Sequence, residues 1–529
     1  MGRRKLYRER IKFEMHSVVA KGVRGLIERT LRTEFGRSRV EAEVLAARSL
    51  WWLGALGTTV PGQARLGAPT GLSRRYAQRA RKPVAITAVD VGEDTKVWEE
   101  FGLAAIQRKR VVRWLMEIYR QGGWASLKEV AAWANLTPTA LGNRLRPLRR
   151  LGVWLPHLGG RLPDETALGP EAWLVDHFLQ TGGVWDVREV FGLGAGAWEV
   201  ILRRFATVLD RAEAGAGPED IAPEVGLGPE EVRQFLKVGE RHRRRRALKE
   251  LRGLYAAPAA ARASGSAGVV AELVEQYGFS RVSARLYRDW LGELAAKLGT
   301  EALPEGTLVF FAIDSGESAR AKLEEARHVP VRLSYFTDAD LASGPRSDSP
   351  TRVAAMKFGR ICRYAGEARV QGALLTLPDL AVLMGIHVTA IRHAMADHPE
   401  VIVPTRGRVK DIGRGVSHKA RIVELYLQMH TETEIVERTG HSYESVEAYL
   451  REFARVLTLA DQGMNAVMIR RVTGRSMSLV SAYLDLIGRY DKPEYHFRLA
   501  QMRRVFARDE AVRGQKGGSS PSRTGGGTP

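Results

Sequence analysis

The sequence predicts a mainly α-helical protein arranged as a tandem duplication. Each copy carries helix-turn-helix units, winged in the second copy, and a small β element. Three observations predict this. Apolar residues recur at helical spacing over most of a chain that is 44% hydrophobic. Short segments return at a nearly constant interval. A frame that joins two helices through a tight turn occurs six times.

The duplication is read from matched segments. Phe35-Gly-Arg-Ser-Arg-Val40 returns as Tyr277-Gly-Phe-Ser-Arg-Val282, and Pro83-Val84 returns as Pro330-Val331, each opening a β-prone run. Gln121-Gly-Gly123 returns as Gln371-Gly-Ala373, Trp154-Leu-Pro156 as Ile402-Val-Pro404, and Phe205 to Leu209 as Phe453 to Leu457. The offsets are 242, 247, 250, 248 and 248 residues, too even over such a length to be chance. The expected order is a basic arm at 1–24, copy 1 at 25–240, a basic run and linker at 241–267, and copy 2 at 268–490. A C-terminal helix at 491–512 and a Gly/Ser/Pro-rich disordered tail at 513–529 complete it.

The six frames have a physical basis. A small residue early in the first helix lets the second approach, a Gly or Asn accepts the left-handed turn, and an apolar residue plugs the second helix into the core. Copy 1 supplies Ala131/Asn135/Leu141, Arg188/Gly192/Trp198 and Ala222/Gly226/Val232. Copy 2 supplies Ala381/Gly385/Ile391, Val436/Gly440/Val446 and Arg470/Gly474/Val480. Ser442 and Ser476 stand where an N-cap is wanted, and Pro138 and Pro229 at first helical positions. Helical hairpins used only for packing would carry the same frame.

Charge narrows the partner. The net charge is +21 over 529 residues, which points to a polyanion, double-stranded DNA first. Residues 1–150 hold 30 basic against 13 acidic residues, net +17, with Arg144, Arg146, Arg149 and Arg150 around the first frame. Residues 151–240 hold 7 against 15, net −8, so the last two units of copy 1 repel phosphate; the matching 401–488 hold 12 against 10, net +2. The single Cys362 rules out an internal disulfide framework. The start lacks a signal-peptide core and the apolar run at 44–60 is interrupted, so a cytoplasmic protein with no membrane span is expected. A homo-oligomer is compatible with the sequence.

The contact residues follow from this frame. In copy 2 the first unit precedes Val401-Ile-Val403, a tight turn at Arg406-Gly407 and a second β-prone stretch, together a wing. The second helix, about Val388 to Met395, would enter the major groove and show His387, Thr389, Arg392 and His393. The wing and the glycine-rich approach to the next helix add Arg406, Arg408, Lys410, Arg414, His418 and Lys419, with Ser417 placed to cap. The later units add Tyr443, Arg475 and Ser478, with His441, Glu444, Glu447, Ser476 and Ser481 beside them.

From Val403 to Lys419, through Ile422-Val-Glu-Leu-Tyr-Leu427 and Thr433-Glu-Ile435 to Thr439-Gly-His-Ser442, copy 2 resembles the prokaryotic domain-of-unknown-function 1670 family. Copy 1 resembles a diverged member. The resemblance implies helix-turn-helix content and supplies no catalytic residues.

Enzymatic chemistry has one foothold. Asp314 at a strand end, with Glu317, Asp338 and Asp340, could hold Mg²⁺ for a recombinase or nuclease. Asp314-Ser-Gly and Thr337-Asp-Ala-Asp are also ordinary turn and cap sequences, and copy 1 has no match for Asp314. No phosphate loop, nucleophile elbow or dinucleotide fingerprint occurs. The expectation is a non-enzymatic DNA-binding protein without cofactor or metal, serving transcriptional regulation or a mobile element. A purely structural or protein-interaction module is the alternative.

Overall fold

The computed structural model describes residues 18, 23–55, 60–70, 80–160, 166–255, 266–299, 303–319, 321–323, 326–343, 349–410, 417–439, 441–495 and 497–504. It is mainly helical with one small antiparallel sheet. The chain forms two compact units, 1–395 and 396–529. The first takes in parts of both halves of the sequence, so the compact units divide the chain differently from the two copies expected from the sequence.

The first unit begins with the helices α1 (Val23–Thr33) and α2 (Arg39–Ala55), then β1 (Gln63–Pro69) and β2 (Arg81–Thr87). Next come α3 (Val91–Phe101), α4 (Leu103–Arg120), α5 (Leu127–Trp133) and α6 (Pro138–Arg150). A helical array follows: α7 (Pro170–Thr181), α8 (Arg188–Phe191), α9 (Ala195–Glu213), α10 (Pro218–Val225), α11 (Pro229–Arg241) and α12 (Arg246–Tyr255). The opening order then recurs as α13 (Ser266–Tyr277), α14 (Arg281–Leu298), β3 (Thr307–Asp314), β4 (His328–Ser334), α15 (Asp338–Ser343) and α16 (Pro350–Val370). The short β5 (Ala373–Leu374), α17 (Leu377–Met384) and α18 (Val388–Ala396) complete it.

The sheet order is β2-β1-β3-β4, with β5 also on β3, and every pairing is antiparallel. Its centre joins the halves reciprocally. The Gly62 amide donates to Val309 O (2.9 Å) and the Gly306 amide to Arg65 O (2.7 Å). Both glycines have left-handed backbones, φ 82° and 75°. A Cβ on Gly62 would lie 2.0 Å from Val89 O, and one on Gly306 1.9 Å from Phe336 O, so only glycine fits at either place.

The outer strands are closed by side chains of the long helices. Gln121, at the C-terminal cap of α4, accepts from the Ala85 amide (2.9 Å) and donates to its carbonyl (2.7 Å). Gln371 does the same to Arg332 at 2.8 and 2.7 Å. Glu117 accepts from the Thr87 amide and Glu367 from the Ser334 amide, at 2.7 and 2.8 Å. Each glutamine behaves as a further peptide in the ladder and covers an edge that would otherwise invite pairing. Beside the sheet, α1 and α2 share one apolar core with α13 and α14, where the Ser49 and Tyr287 hydroxyls meet at 2.7 Å. A separate core holds the 168–255 array, around Phe205 and Phe235.

The second unit contains α19 (Arg406–Val409), α20 (Ser417–Leu427), α21 (Glu432–Thr439), α22 (Tyr443–Asp461), α23 (Ala466–Thr473) and α24 (Met477–Tyr490), then a helix over 497–504. They close around Phe453, Tyr483 and Leu457.

The wing expectation is corrected here. No strand is formed over the described part of 401–412; Arg406–Val409 is a single helical turn that follows Thr405. A two-residue hairpin turn needs left-handed backbone at its centre. Gly407 is not left-handed, and Arg406 is buried at 5% exposure rather than extended into solvent.

Candidate nucleic-acid interface

Five of the six turns can be described; each has a left-handed turn residue, and the expected plug is fully buried in four of them and half-buried in the fifth, at Trp198. Asn135 (φ 58°) joins α5 to α6, with Ala131 and Leu141 fully buried. Gly192 (φ 60°) joins α8 to α9, and Gly226 (φ 67°) joins α10 to α11, with Val232 fully buried. Gly385 (φ 61°) joins α17 to α18 around buried Ala381 and Ile391. Gly474 (φ 68°) joins α23 to α24, with Val480 buried. Gly440 lies outside the described residues, though α21 and α22 flank it and Val446 is buried. Caps set the second-helix starts. Thr137, Ser442 and Ser476 accept from Ala140, Ser445 and Leu479 amides at 3.1–3.3 Å.

The first units of the two halves are clasped turn to turn. Arg110 on α4 donates to Leu383 O at the end of α17 (3.4 Å), and Arg360 on α16 donates to Trp133 O at the end of α5 (3.4 Å). Arg360 also reaches Ala132 O (3.0 Å) and Asn135 Oδ1 (2.9 Å). The Asn135 amide group donates to Met384 O at 2.8 Å, and Gln107 to Gly385 O at 2.9 Å. Arg144 on α6 holds Gln107 through its Oε1 (2.9 Å).

Carboxylates make these buried cations tolerable. Asp94 is wholly buried, with Arg110 at 2.7 Å and Arg113 at 2.9 Å. Burial would push its carboxyl up, but the two guanidinium groups outweigh this and hold it at about 2. Asp340 is bound in the same way by Arg360 (3.2 Å) and Arg363 (2.7 Å), and its carboxyl is likewise held below the usual range against the effect of burial. Asp340 is therefore a structural anchor. Asp314 accepts from the Gly316 amide (2.8 Å) and sits 3.3 Å from Arg327. Among the described residues, no group of three His, Cys, Asp or Glu side chains is placed to hold a metal ion. Among the same residues, no helix is long and apolar enough to cross a membrane.

The expected contact residues scatter. Thr389, Arg392 and His393 are exposed on α18, while His387 is half-buried, edge-on to Trp98 with ring centres 5.9 Å apart. Arg406 is buried, and Arg408 is half-buried and donates to Val401 O at 3.3 Å. Lys410 is half-buried; Arg414 and the side chains of Ser417 and His418 lie outside what is described. Lys419 stands 5.2 Å from the Tyr449 ring centre and 3.8 Å from Glu452. Arg475 is exposed and meets the same Glu452 at 3.2 Å, so one carboxylate serves two of the expected phosphate contacts. Tyr443 is 49% exposed, its hydroxyl on Thr433 Oγ1 at 3.1 Å, and Ser478 is exposed. His441 is buried at 2% exposure, its ring between Thr439 O (3.2 Å) and Arg408 O (3.1 Å), so it packs rather than reads.

Two further sets of side chains stand out: the sequence marks Arg146, Arg149 and Arg150 only as local charge and Arg470 only as a frame position, and does not single out Thr139, Asn143 or Arg471. On α6, Thr139, Asn143, Arg146, Arg149 and Arg150 are exposed and lie opposite the buried Leu141, Leu145 and Leu148. Thr139 and Asn143 stand 250 residues before Thr389 and His393, a signal visible in the offsets. Arg470 and Arg471 are exposed on α23 beside Arg475.

No curated protein and no solved structure matches the chain. Residues 273–486, within the second half of the chain, match a family described as "Protein of unknown function (DUF1670)".

Proposed function

We propose that the protein binds double-stranded DNA through its helix-turn-helix units and acts as a transcriptional regulator or a DNA-binding accessory of a mobile element. The observation that carries this is the set of turns. Five described hairpins share a left-handed turn residue and a second helix packed on the core, and two of them carry exposed cations, in one case along the second helix and in the other around the turn. On α6 these are Arg146, Arg149 and Arg150; at α23–α24 they are Arg470, Arg471 and Arg475. A net charge of +21 supplies the attraction to phosphate. Guanidinium and amide side chains such as Arg146, Arg392 and Asn143 are suited to guanine and adenine edges.

A second reading is favoured for part of the chain. Residues 151–240 are net −8, and Glu219, Asp220 and Glu224 are exposed on α10. These hairpins suit contact with protein better than with DNA. The test is selection from random duplexes by the purified full-length protein at about 150 mM salt. Enrichment of a motif supports the proposal; absence of any retained duplex contradicts it.

A further inference from the structure

The clasp fixes how two of the units can meet DNA. We propose that α6 and α18 act as one preset pair of reading helices, so that a single chain recognises a duplex with two unlike, adjoining half-sites. This rests on the DNA-binding reading above. Asn135 and Met384 touch at 2.8 Å, and the two helices begin three and four residues further on, at Pro138 and Val388. At no more than about 3.5 Å per residue, these starts lie within roughly 30 Å of each other. One turn of duplex, the usual separation in a symmetric dimer of such units, is about 34 Å.

The contact is reciprocal in the manner of a twofold dimer interface. Arg110 enters the second half's turn, and Arg360 enters the first half's. Both are almost fully buried and each is tied to a buried carboxylate, so the pair cannot slide without exposing charge to an apolar interior. The outward faces differ in a readable way. Thr139 and Thr389 occupy equivalent places, whereas Asn143 stands opposite His393 and Gly142 opposite Arg392. Two half-sites with a shared edge and different centres are the expected target. Asn143 would favour adenine in one, and Arg392 guanine in the other.

Selections with wild type, Asn143→Ala and Arg392→Ala test this, because exposed alanines on helices leave folding intact. The wild type should enrich a bipartite motif. Each variant should lose base preference by about tenfold in one half only, and in different halves. Inserting about five base pairs, half a helical turn, between the halves should weaken wild-type binding at least tenfold. Variants that alter the same base pairs, or tolerance of the insertion, would overturn the paired reading while leaving DNA binding standing. Failure of the wild type to retain any duplex would instead remove the DNA-binding reading itself.

Discussion

In Pro218–Arg241 and in Ala466–Tyr490, a left-handed glycine (φ 67° at Gly226, 68° at Gly474) joins two helices, and a fully buried valine (Val232, Val480) anchors the second. The outward residues are opposite in sign. The first hairpin shows Glu219, Asp220 and Glu224, with Glu219 and Glu224 paired to Arg233 and Arg211. The second shows Arg470, Arg471 and Arg475. The backbone frame and the surface charge are thus set by different residues, and the frame alone does not say what a hairpin touches. The same separation holds between the halves as a whole. Asp94–Arg110–Arg113 and Asp340–Arg360–Arg363 recur inside, while the charge outside diverges.

If the inner triads are equivalent, both should be needed. Asp94→Ala strands the buried Arg110 and should destabilise the first unit by about 3–5 kcal/mol, with a comparable loss for Asp340→Ala, read from chemical denaturation. Tolerance of one and not the other would break the equivalence. The sign with pH follows from the lowered carboxyl. Asp94 contributes stability that is present above about pH 4, its ordinary range, and lost as pH falls toward about 2. Asp94→Asn should flatten that acid limb.

The outer difference makes a binding prediction of intermediate size. Replacing Arg470, Arg471 and Arg475 by alanine should weaken duplex binding and lower the slope of log affinity against log salt by up to about three. Replacing Glu219, Asp220 and Glu224 by alanine should leave binding within about twofold or raise it. Equal losses from both triple variants would show that surface charge does not separate the hairpins. The smallest effect is expected at Glu452, which holds Lys419 and Arg475. Glu452→Gln releases both and should tighten duplex binding a few-fold, most clearly at low salt.

The turns were legible because each rests on a local rule: a residue that tolerates left-handed backbone and a plug at fixed spacing. Asn135 shows that the rule is conformational and not simply a search for glycine. The wing was misread because Val401-Ile-Val403 and Gly407 satisfy a hairpin pattern, while the burial of Arg406 and the helical backbone of Gly407 decide for a helical turn. The clasp was hidden for another reason. Arg110 and Arg360 look like surface cations of amphipathic helices, and only the tertiary arrangement brings them to carbonyls 273 and 227 residues away. In hindsight Arg110, Arg113, Glu117 and Gln121 recur at Arg360, Arg363, Glu367 and Gln371, a run that reports the ladder on both strand edges.

The most direct measurement is the affinity of the full-length protein for a labelled duplex as salt is raised from about 50 to 200 mM. DNA binding through several cationic helices predicts tight binding at low salt and a steep linear fall of log affinity with log salt, with a selected sequence retained longest. No binding at 50 mM, or binding indifferent to salt, would contradict the account.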